Sequence, residues 1–491
     1  MTISFDQIPN TQRVPFAYIE FNNSKAVVGP TLKLFSGLLI GQKLAGGTAV
    51  ANTPILVTQS SNTKTLFGAG SMLVGMVARW FQNNPGGKLT VIPVADDGAG
   101  VAATAVLTFT GPATAAGTLA FYHAGKVYNV AVAAADTAIT VAAALTAAIN
   151  ADTDAIFTAV QPANPNDHKV NLTYKHKGLI GNELDLQFNY NDESMPVGLA
   201  CAITAYANGA TNPVLTAAIS AMGDVQYDVI GFPYTDAASL LAIETELASR
   251  WGPLRQNDGR AFAASNKDFN GLSTLGNSRN SPHVVIMAAY KEPMPTYEKA
   301  AALAAVAGNY LSIDPARPLQ TLPLLGMLPP KQSQRFLSSE RNLLLFAGIA
   351  TSIVDAGGTV CIERAITTYK TNALGAVDPS YLDVETLAIL SYIRYDFRNY
   401  IMLKYPRHKL ADDGTRFGVG QVVMTPALGR AEALSKFTQW ETSGLVEGYE
   451  QFKAALIVER NAADRSRLDW YLAPDLINQL RINGMQIGFL L

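Results

Sequence analysis

The feature that most constrains this chain is a strand–helix–strand rhythm that starts, breaks off and then resumes. Between Leu32 and Val94 the apolar pattern predicts a strand (Leu34 to Ile40), a strand (Ile55 to Val57), a helix with Ser71 as N-cap running to Gln82, and a strand (Leu89 to Val94). From residue 97 to 212 the composition shifts to Ala, Thr and Gly. Short alternating runs follow at Ala105 to Phe109, Thr118 to Tyr122, Lys126 to Val132, Lys169 to Tyr174 and Leu184 to Tyr190, with one Ala-rich helical stretch from Ala138 to Asn150. This predicts an inserted, β-rich domain. After Asn208-Gly-Ala-Thr-Asn-Pro213 the rhythm returns, with strands at Tyr227 to Phe232, Arg260 to Ala264 and His283 to Ala289 and helices beginning near Asp236 and Asp268. Strand, helix and strand at this spacing imply parallel pairing.

A further helix is expected from Thr296 to Leu311, and the Pro-rich run from Pro315 to Pro330 is read as a domain boundary. Beyond it, Asp355-Ala-Gly-Gly358 predicts a hairpin between Gly348 to Val354 and Thr359 to Tyr369. Asp378-Pro-Ser380 opens a helix to about Lys404, and Thr425-Pro426 supplies an N-cap and N1 proline for another that ends at Gly444. Strands are expected at Gln451 to Arg460 and Leu468 to Leu472.

Both ends are expected to be extended. Pro9 and Pro15 oppose a helix, while Ile3/Phe5 and Val14/Phe16/Tyr18 alternate. At the other end Met485, Ile487, Phe489 and Leu491 fall on one face of a strand, as in a segment meant to enter a sheet of this subunit or of a neighbour. Apolar burial there is offset by the cost of ordering the backbone, so such an arm orders only where a neighbouring sheet is presented. The expected fold class is multi-domain α/β: a three-layer-like α/β domain (26–96 and 213–330) interrupted by an inserted β-rich domain (97–212), an α+β C-terminal domain (331–481), an N-terminal arm (1–25) and a C-terminal linking strand (482–491).

The balance of 37 basic and 39 acidic residues leaves no excess to neutralise nucleic-acid phosphates. Only 15% of residues are charged, against about a quarter in typical soluble proteins. That deficit fits surface covered by other subunits, although a high Ala content also dilutes charge. Cys201 and Cys361 stand alone, without a CxxC or Cys/His cluster, and a reducing cytoplasm is expected. The opening residues lack the basic and apolar regions of a signal peptide. The densest apolar run, Asn342 to Val354, falls short of the roughly 20 residues that span a bilayer.

Motifs for chemistry are missing. Gly37-Leu-Leu-Ile-Gly-Gln-Lys43 has neither the glycine spacing nor the hydroxyl of a P-loop, and Gly68-Ala-Gly70 and Gly418-Val-Gly420 lack the third glycine of a dinucleotide fingerprint. HExxH and GxSxG are absent. His168 and His176 read as a solvated polar pair rather than a metal site. Asp96-Asp97 and Asp412-Asp413, each followed by Gly, read as turns rather than paired catalytic acids. Arg394, Arg398, Lys404, Arg407, His408 and Lys409, interleaved with Tyr392, Tyr395, Tyr400 and Tyr405, form the one basic cluster, whose aromatics at helical spacing read as core rather than as an RNA platform. No catalytic residue, cofactor or metal site is predicted.

Ile8-Pro-Asn-Thr-Gln-Arg-Val-Pro-Phe-Ala-Tyr-Ile-Glu-Phe-Asn-Asn23 resembles the start of the tail sheath proteins of Mu-like contractile-tailed phages. Leu66-Phe-Gly-Ala-Gly-Ser-Met-Leu73, Val229-Ile-Gly-Phe-Pro-Tyr-Thr-Asp236, Ser338-Ser-Glu-Arg-Asn342 and Arg467-Leu-Asp-Trp-Tyr-Leu-Ala-Pro-Asp475 resemble further stretches of that family in the same order. The resemblance covers nearly the whole chain except residues 97 to 212, where such sheaths carry variable insertions that face outward. It implies a mechanical, non-enzymatic subunit that stacks as hexameric rings around a tail tube and contracts without nucleotide fuel to drive the tube through the host envelope. It further implies arms that complete the sheets of adjacent subunits, here Val14, Phe16, Tyr18, Ile19 and Phe21 at one end and Met485, Ile487, Phe489 and Leu491 at the other. A tube-holding helix would be Pro426 to Ser443, with Arg430 and Lys436 as its charged residues. The implied partners are further copies of the chain, the tail tube protein, and baseplate and tail terminator proteins, with no nucleic acid and no membrane insertion. Assembly in the host cytoplasm and residence in the virion tail follow from the same resemblance. The alternatives are a cytoplasmic oligomeric α/β enzyme with a concealed site, or the sheath of a bacteriocin or secretion machine.

Overall fold

Long apolar runs with little alternation are the mark of strands buried on both faces, and Ser36 to Gln42 is such a run: Leu38, Leu39 and Ile40 are fully buried. The computed structural model describes Lys33 and residues 35–490. Val14, Phe16, Tyr18, Ile19, Phe21 and Leu491 lie outside the described residues. The rest divides into two compact units, Lys33–Ser391 with residues 479–490, and Tyr392–Asn478.

In the larger unit β1 (Ser36–Gln42), β2 (Ile55–Val57), α1 (Thr63–Phe67), α2 (Met72–Asn83) and β3 (Lys88–Val94) come first. β1 and β3 are parallel from Ser36↔Lys88 to Gln42↔Val94, and β2 runs antiparallel along β3. Gly37 is required here, since a Cβ would sit 2.0 Å from the Trp80 ring that α2 lays across the sheet. The insertion follows as β4 (Ala102–Thr110), β5 (Gly117–His123), β6 (Lys126–Val132), α3 (Ala138–Ala151), β7 (Phe157–Val160), β8 (Lys169–Lys177), a 3-10 turn (Leu179–Glu183), β9 (Leu186–Phe188) and β10 (Ala200–Ala207). These form a four-stranded sheet, β10-β4-β8-β7, and a three-stranded one, β6-β5-β9. Alternating burial along β4 and β8 gives each one core face and one outer face. β7 and β10 extend the predicted set; both are short or weakly amphipathic.

The chain then returns through α4 (Thr216–Ser220), β11 (Val229–Gly231), α5 (Ala237–Trp251), β12 (Arg260–Ser265), α6 (Phe269–Asn277), β13 (Val284–Ala288) and α7 (Thr296–Ile313). Asp236 and Asp268 cap α5 and α6 through Ser239 N and Gly271 N. The completed sheet has the order β13-β12-β11-β1-β3-β2, parallel except for β2.

The boundary expected at the Pro-rich run falls elsewhere. α8 (Ser338–Phe346) and the hairpin β14 (Thr351–Val354) and β15 (Val360–Arg364) stay with the larger unit. Ala350 exchanges main-chain bonds with Ile286 and Ala288 on β13, and Thr321 and Leu324 of the Pro-rich run donate to Ile362 and Val360. The prolines thus mark an ordered connection beside β15 rather than a linker.

α9 (Val384–Lys404) crosses from one unit to the other after Ser391. It starts later than Asp378 because that carboxylate accepts from Ser380 N in a turn. The smaller unit holds β16 (Lys409–Leu410), β17 (Val423–Met424), α10 (Pro426–Thr442), β18 (Val446–Glu447), α11 (Tyr449–Ala455), β19 (Ile457–Arg460), β20 (Leu468–Tyr471) and β21 (Asp475–Leu476). Residues 451–455, expected as strand, are helical, started by Gly448 at φ 80°. The core is aromatic: Phe437 stacks on Phe452 at 4.2 Å, and Phe397 meets Trp440 and Trp470 edge-on.

Candidate assembly surfaces

The C-terminal segment is the clearest departure from a closed surface. Residues 482–490 have no regular secondary structure, although their alternation predicts a strand. Ile482, Met485, Ile487, Phe489 and Leu490 are 79% exposed or more. Single exposed apolar side chains are ordinary, but a run of them carries a solvation cost that a covering surface removes. No sheet of this chain takes the segment in among the described residues.

The segment is nonetheless rooted. Arg481, 13% exposed at its side chain, donates from Nη2 to Glu385 Oε2 at 2.8 Å and to Asp383 Oδ1 at 3.2 Å. Asp383 is also held by Arg364 through Nε (3.1 Å) and Nη2 (3.0 Å), and Glu385 Oε1 accepts from Leu319 N at 2.9 Å. Gln320 Nε2 adds a bond to Leu480 O at 3.3 Å. Burial pushes the Glu385 carboxyl up, and the Arg481 charge and the Leu319 N–H work against that push. Sequence reading missed this cluster; its one visible signal is a lone cation directly before an apolar run.

On α10 the two named cations are both engaged within the smaller unit. The inward stripe runs through Gly429, Ala433, Lys436, Phe437 and Trp440, so Lys436 falls on the core side. Its Nζ meets Asp396 Oδ2 at 2.6 Å, and Trp440 Nε1 donates to the same oxygen at 2.7 Å. Arg430 turns to the carbonyls of Lys453 and Leu456 at the end of α11. The exposed face of the helix instead carries the small and polar residues Ala427, Ala431, Ser435, Thr438 and Thr442, flanked by Gln439 and Glu441.

The basic cluster is partly consumed in the same unit. Lys404 Nζ reaches Glu432 at 2.8 Å, and the Tyr400 and Tyr405 hydroxyls donate to that carboxylate as well. Burial pushes Glu432 up, yet these bonds together hold it below the usual range.

The remaining polar motifs resolve into structure. Asp97 Oδ1 accepts from Ala99 N and Asp413 Oδ1 from Ala427 N, as turn and cap residues do. His176 is fully buried rather than solvated, bound to Met72 N and Asp96. At the carboxyl ends of β11, β12 and β13, where open α/β sheets usually take ligands, a cavity of about 610 Å³ is bordered by Glu183 of the insertion. Glu183 accepts from Asn266 N and Ser265 Oγ, both at 3.2 Å, so it docks the insertion on the sheet. Among the described residues no cluster of three or more metal-ligating side chains occurs, and no helix is long and apolar enough to cross a membrane.

Comparison with known proteins bears on these surfaces. Residues 208–368 match the phage tail sheath protein central domain, and residues 376–489 match the phage tail sheath C-terminal domain. The Mu-like prophage FluMu tail sheath protein of Haemophilus influenzae is 44% identical over the full length of both chains. Among solved structures, the sheath tail protein of Desulfitobacterium hafniense aligns with 94% of this chain and 100% of its own at 12% identity and a TM-score of 0.47. The sheath tail protein of Listeria innocua aligns with 91% and 96% at 12% identity and 0.47. The junction between the two matched domains, at 368–376, lies near the end of the larger unit and well past the Pro-rich run. With a relative this similar over its whole length, the chain belongs to the Mu-like contractile phage tail sheath family and is a structural tail subunit, not an enzyme.

Proposed function

We propose that this subunit polymerises as stacked hexameric rings around a tail tube and contracts to drive the tube through a host envelope, with its terminal arms as the links between subunits. The observation that carries this reading is the exposed apolar run at 482–490 in a chain with a full-length sheath relative. An apolar strand with free N–H and C=O groups is completed when it adds to the edge of another sheet. The two-stranded β19–β20 ladder, paired from Ile457↔Tyr471 to Arg460↔Leu468, offers an edge of suitable length. The partners in this reading are further copies of the chain, the tail tube protein, and baseplate and tail terminator proteins, assembled in the host cytoplasm into the virion tail. The insertion would face outward, held to the sheet and to α2 near its linkers through Glu183, through Gln42 to Lys177 O and through Met72 N to His176. Tube contact through α10 would use the small, polar face rather than Lys436.

Electron microscopy of the purified protein tests the proposal. Tubes or stacked rings are expected from the full chain, and dispersed folded subunits from a chain lacking Ile482 to Leu491. Tubes from the shortened chain would remove the arm from the proposal.

A further inference from the structure

We propose that Arg481 is the positioning residue that fixes the root of the C-terminal arm, so that the arm swings from residue 482 and load along it passes into the start of α9. The inference rests on the arm reading above and adds where the arm is held. Three features single out this residue. The Arg481 side chain, 13% exposed, is the last partly buried one before a stretch in which every residue from 482 to 490 is exposed, and it lies between Leu480 at 68% and Ile482 at 84%. The contacts of Arg481 go to acids that are themselves fixed, Asp383 by Arg364 and Glu385 by Leu319 N. Those acids flank Val384, the first residue of α9, where carboxylates also favour the helix N-terminus.

Arg481 bridges the two carboxylates from one nitrogen, Nη2, so the root is held at a single point by two charge-assisted hydrogen bonds. Its Nε and Nη1 have no partner among the described residues, so the two ion pairs carry the anchorage. Just upstream, Gln320 Nε2 also donates to Leu480 O. From this root, residues 482 to 490 at ~3.3 Å each sweep a radius of about 30 Å. Holding the root sets the direction of the arm and raises its effective concentration at a neighbouring edge. With the root released, the arm keeps its composition and loses its aim.

The experiment compares the full chain with Arg481→Met, Arg481→Lys and the chain lacking Ile482 to Leu491. In the free subunit, nitroxide labels are placed at Asn483→Cys or Ile487→Cys in a Cys201→Ser background. The label at 483 is expected to show a slow component that Arg481→Met abolishes and Arg481→Lys partly retains, while the label at 487 is mobile in all three. Equal mobility at 483 and 487 in the parent would overturn the anchor. For assembly, Arg481→Met is expected to raise the critical concentration for tubes at least tenfold, and Arg481→Lys by less. If the shortened chain fails to form tubes while Arg481→Met assembles like the parent, the anchor is wrong and the arm reading stands. If the shortened chain forms tubes, the arm reading itself fails, whatever the labels show.

Discussion

His176 Nε2 accepts a hydrogen bond from the Met72 main-chain N–H across 2.9 Å, closing the open first turn of α2 with a side chain from the inserted domain. That role fixes the ring as the Nδ1–H tautomer, whose proton points at Asp96 Oδ1 3.0 Å away. Asp96 lies just before the insertion and His176 near the end of its strand β8, so one buried ring ties the insertion to the helix that packs on the central sheet. Ser71, the residue at the N-cap, makes no side-chain cap of its own.

Replacing His176 by Ala leaves the Met72 N–H without an acceptor in a buried site and is expected to cost about 1–3 kcal/mol. Thermal unfolding with a probe in the insertion is the measurement. A loss under about 0.5 kcal/mol would mean that water replaces the ring freely.

The same node has an acid limb. Burial pushes the Asp96 carboxyl up, but bonds from His176, Gln42 and Lys177 N outweigh it and hold the pKa below the usual 3.8. A carboxyl lowered in the folded state contributes stability that is present above its unfolded value and lost as pH falls through its folded one. Asp96→Asn is therefore expected to lower the melting temperature at neutral pH and to flatten its decline below about pH 4. Parallel slopes for parent and variant in melts from about pH 6 to 2.5 would contradict this.

Lys299 is fully buried in α7, with Nζ 2.7 Å from Ala288 O, 2.9 Å from Ser352 Oγ and in contact with Glu292. It pins the end of β13 to β14. Lys299→Met strands a buried carboxylate and is expected to cost about 3–5 kcal/mol, whereas Lys299→Met with Glu292→Gln recovers part of it. Chemical denaturation of the two variants checks this, and equal losses would show that the pair is not coupled.

Lys436 separates a structural from a tube-binding role. Lys436→Met leaves Asp396 with Trp440 Nε1 as its remaining close partner and is expected to destabilise the 392–478 unit by about 3 kcal/mol. Substitutions on the exposed face, such as Ser435→Lys or Thr438→Lys, are expected to leave the melting temperature unchanged and to alter binding to tube protein. Unchanged stability in Lys436→Met would return that lysine to the surface.

What could be read from the residues follows from what is local. The parallel strands were legible because burial on both faces makes continuous apolar runs, and the caps at Asp236, Asp268 and Thr425 because capping is a one-turn interaction. The domain boundary was not, because the bonds from Ala350 to Ile286 and from Thr321 to Ile362 join distant segments across a run of prolines. Lys299, Lys436 and His176 look like surface residues by type, and only the partner carboxylates show why each is inside. The alternation near the C-terminus is legible in the residues themselves, whereas the contacts of Arg481 depend on acids about a hundred positions earlier.

The arm makes a prediction with a period. If residues 482–490 enter a neighbouring sheet as a strand, Met485, Ile487 and Phe489 share one face and Gln486, Gly488 and Leu490 the other. In the free subunit Ile487 is 88% and Phe489 79% exposed, so Ile487→Asp and Phe489→Asp are expected to leave its stability unchanged within about 0.5 kcal/mol. In the polymer each would forfeit about 1.5–3 kcal/mol of apolar burial and add the cost of desolvating a carboxylate. Since ~1.4 kcal/mol is tenfold in an equilibrium constant, the critical concentration for tubes should rise at least about tenfold. Gln486→Asp, on the opposite face, should raise it far less. Sedimentation of polymer against subunit concentration, residue by residue from 485 to 489, measures the pattern: alternation marks a strand with one buried face, a three-to-four residue period would mark a helix, and equal effects at every position would mean that the arm binds through its backbone alone.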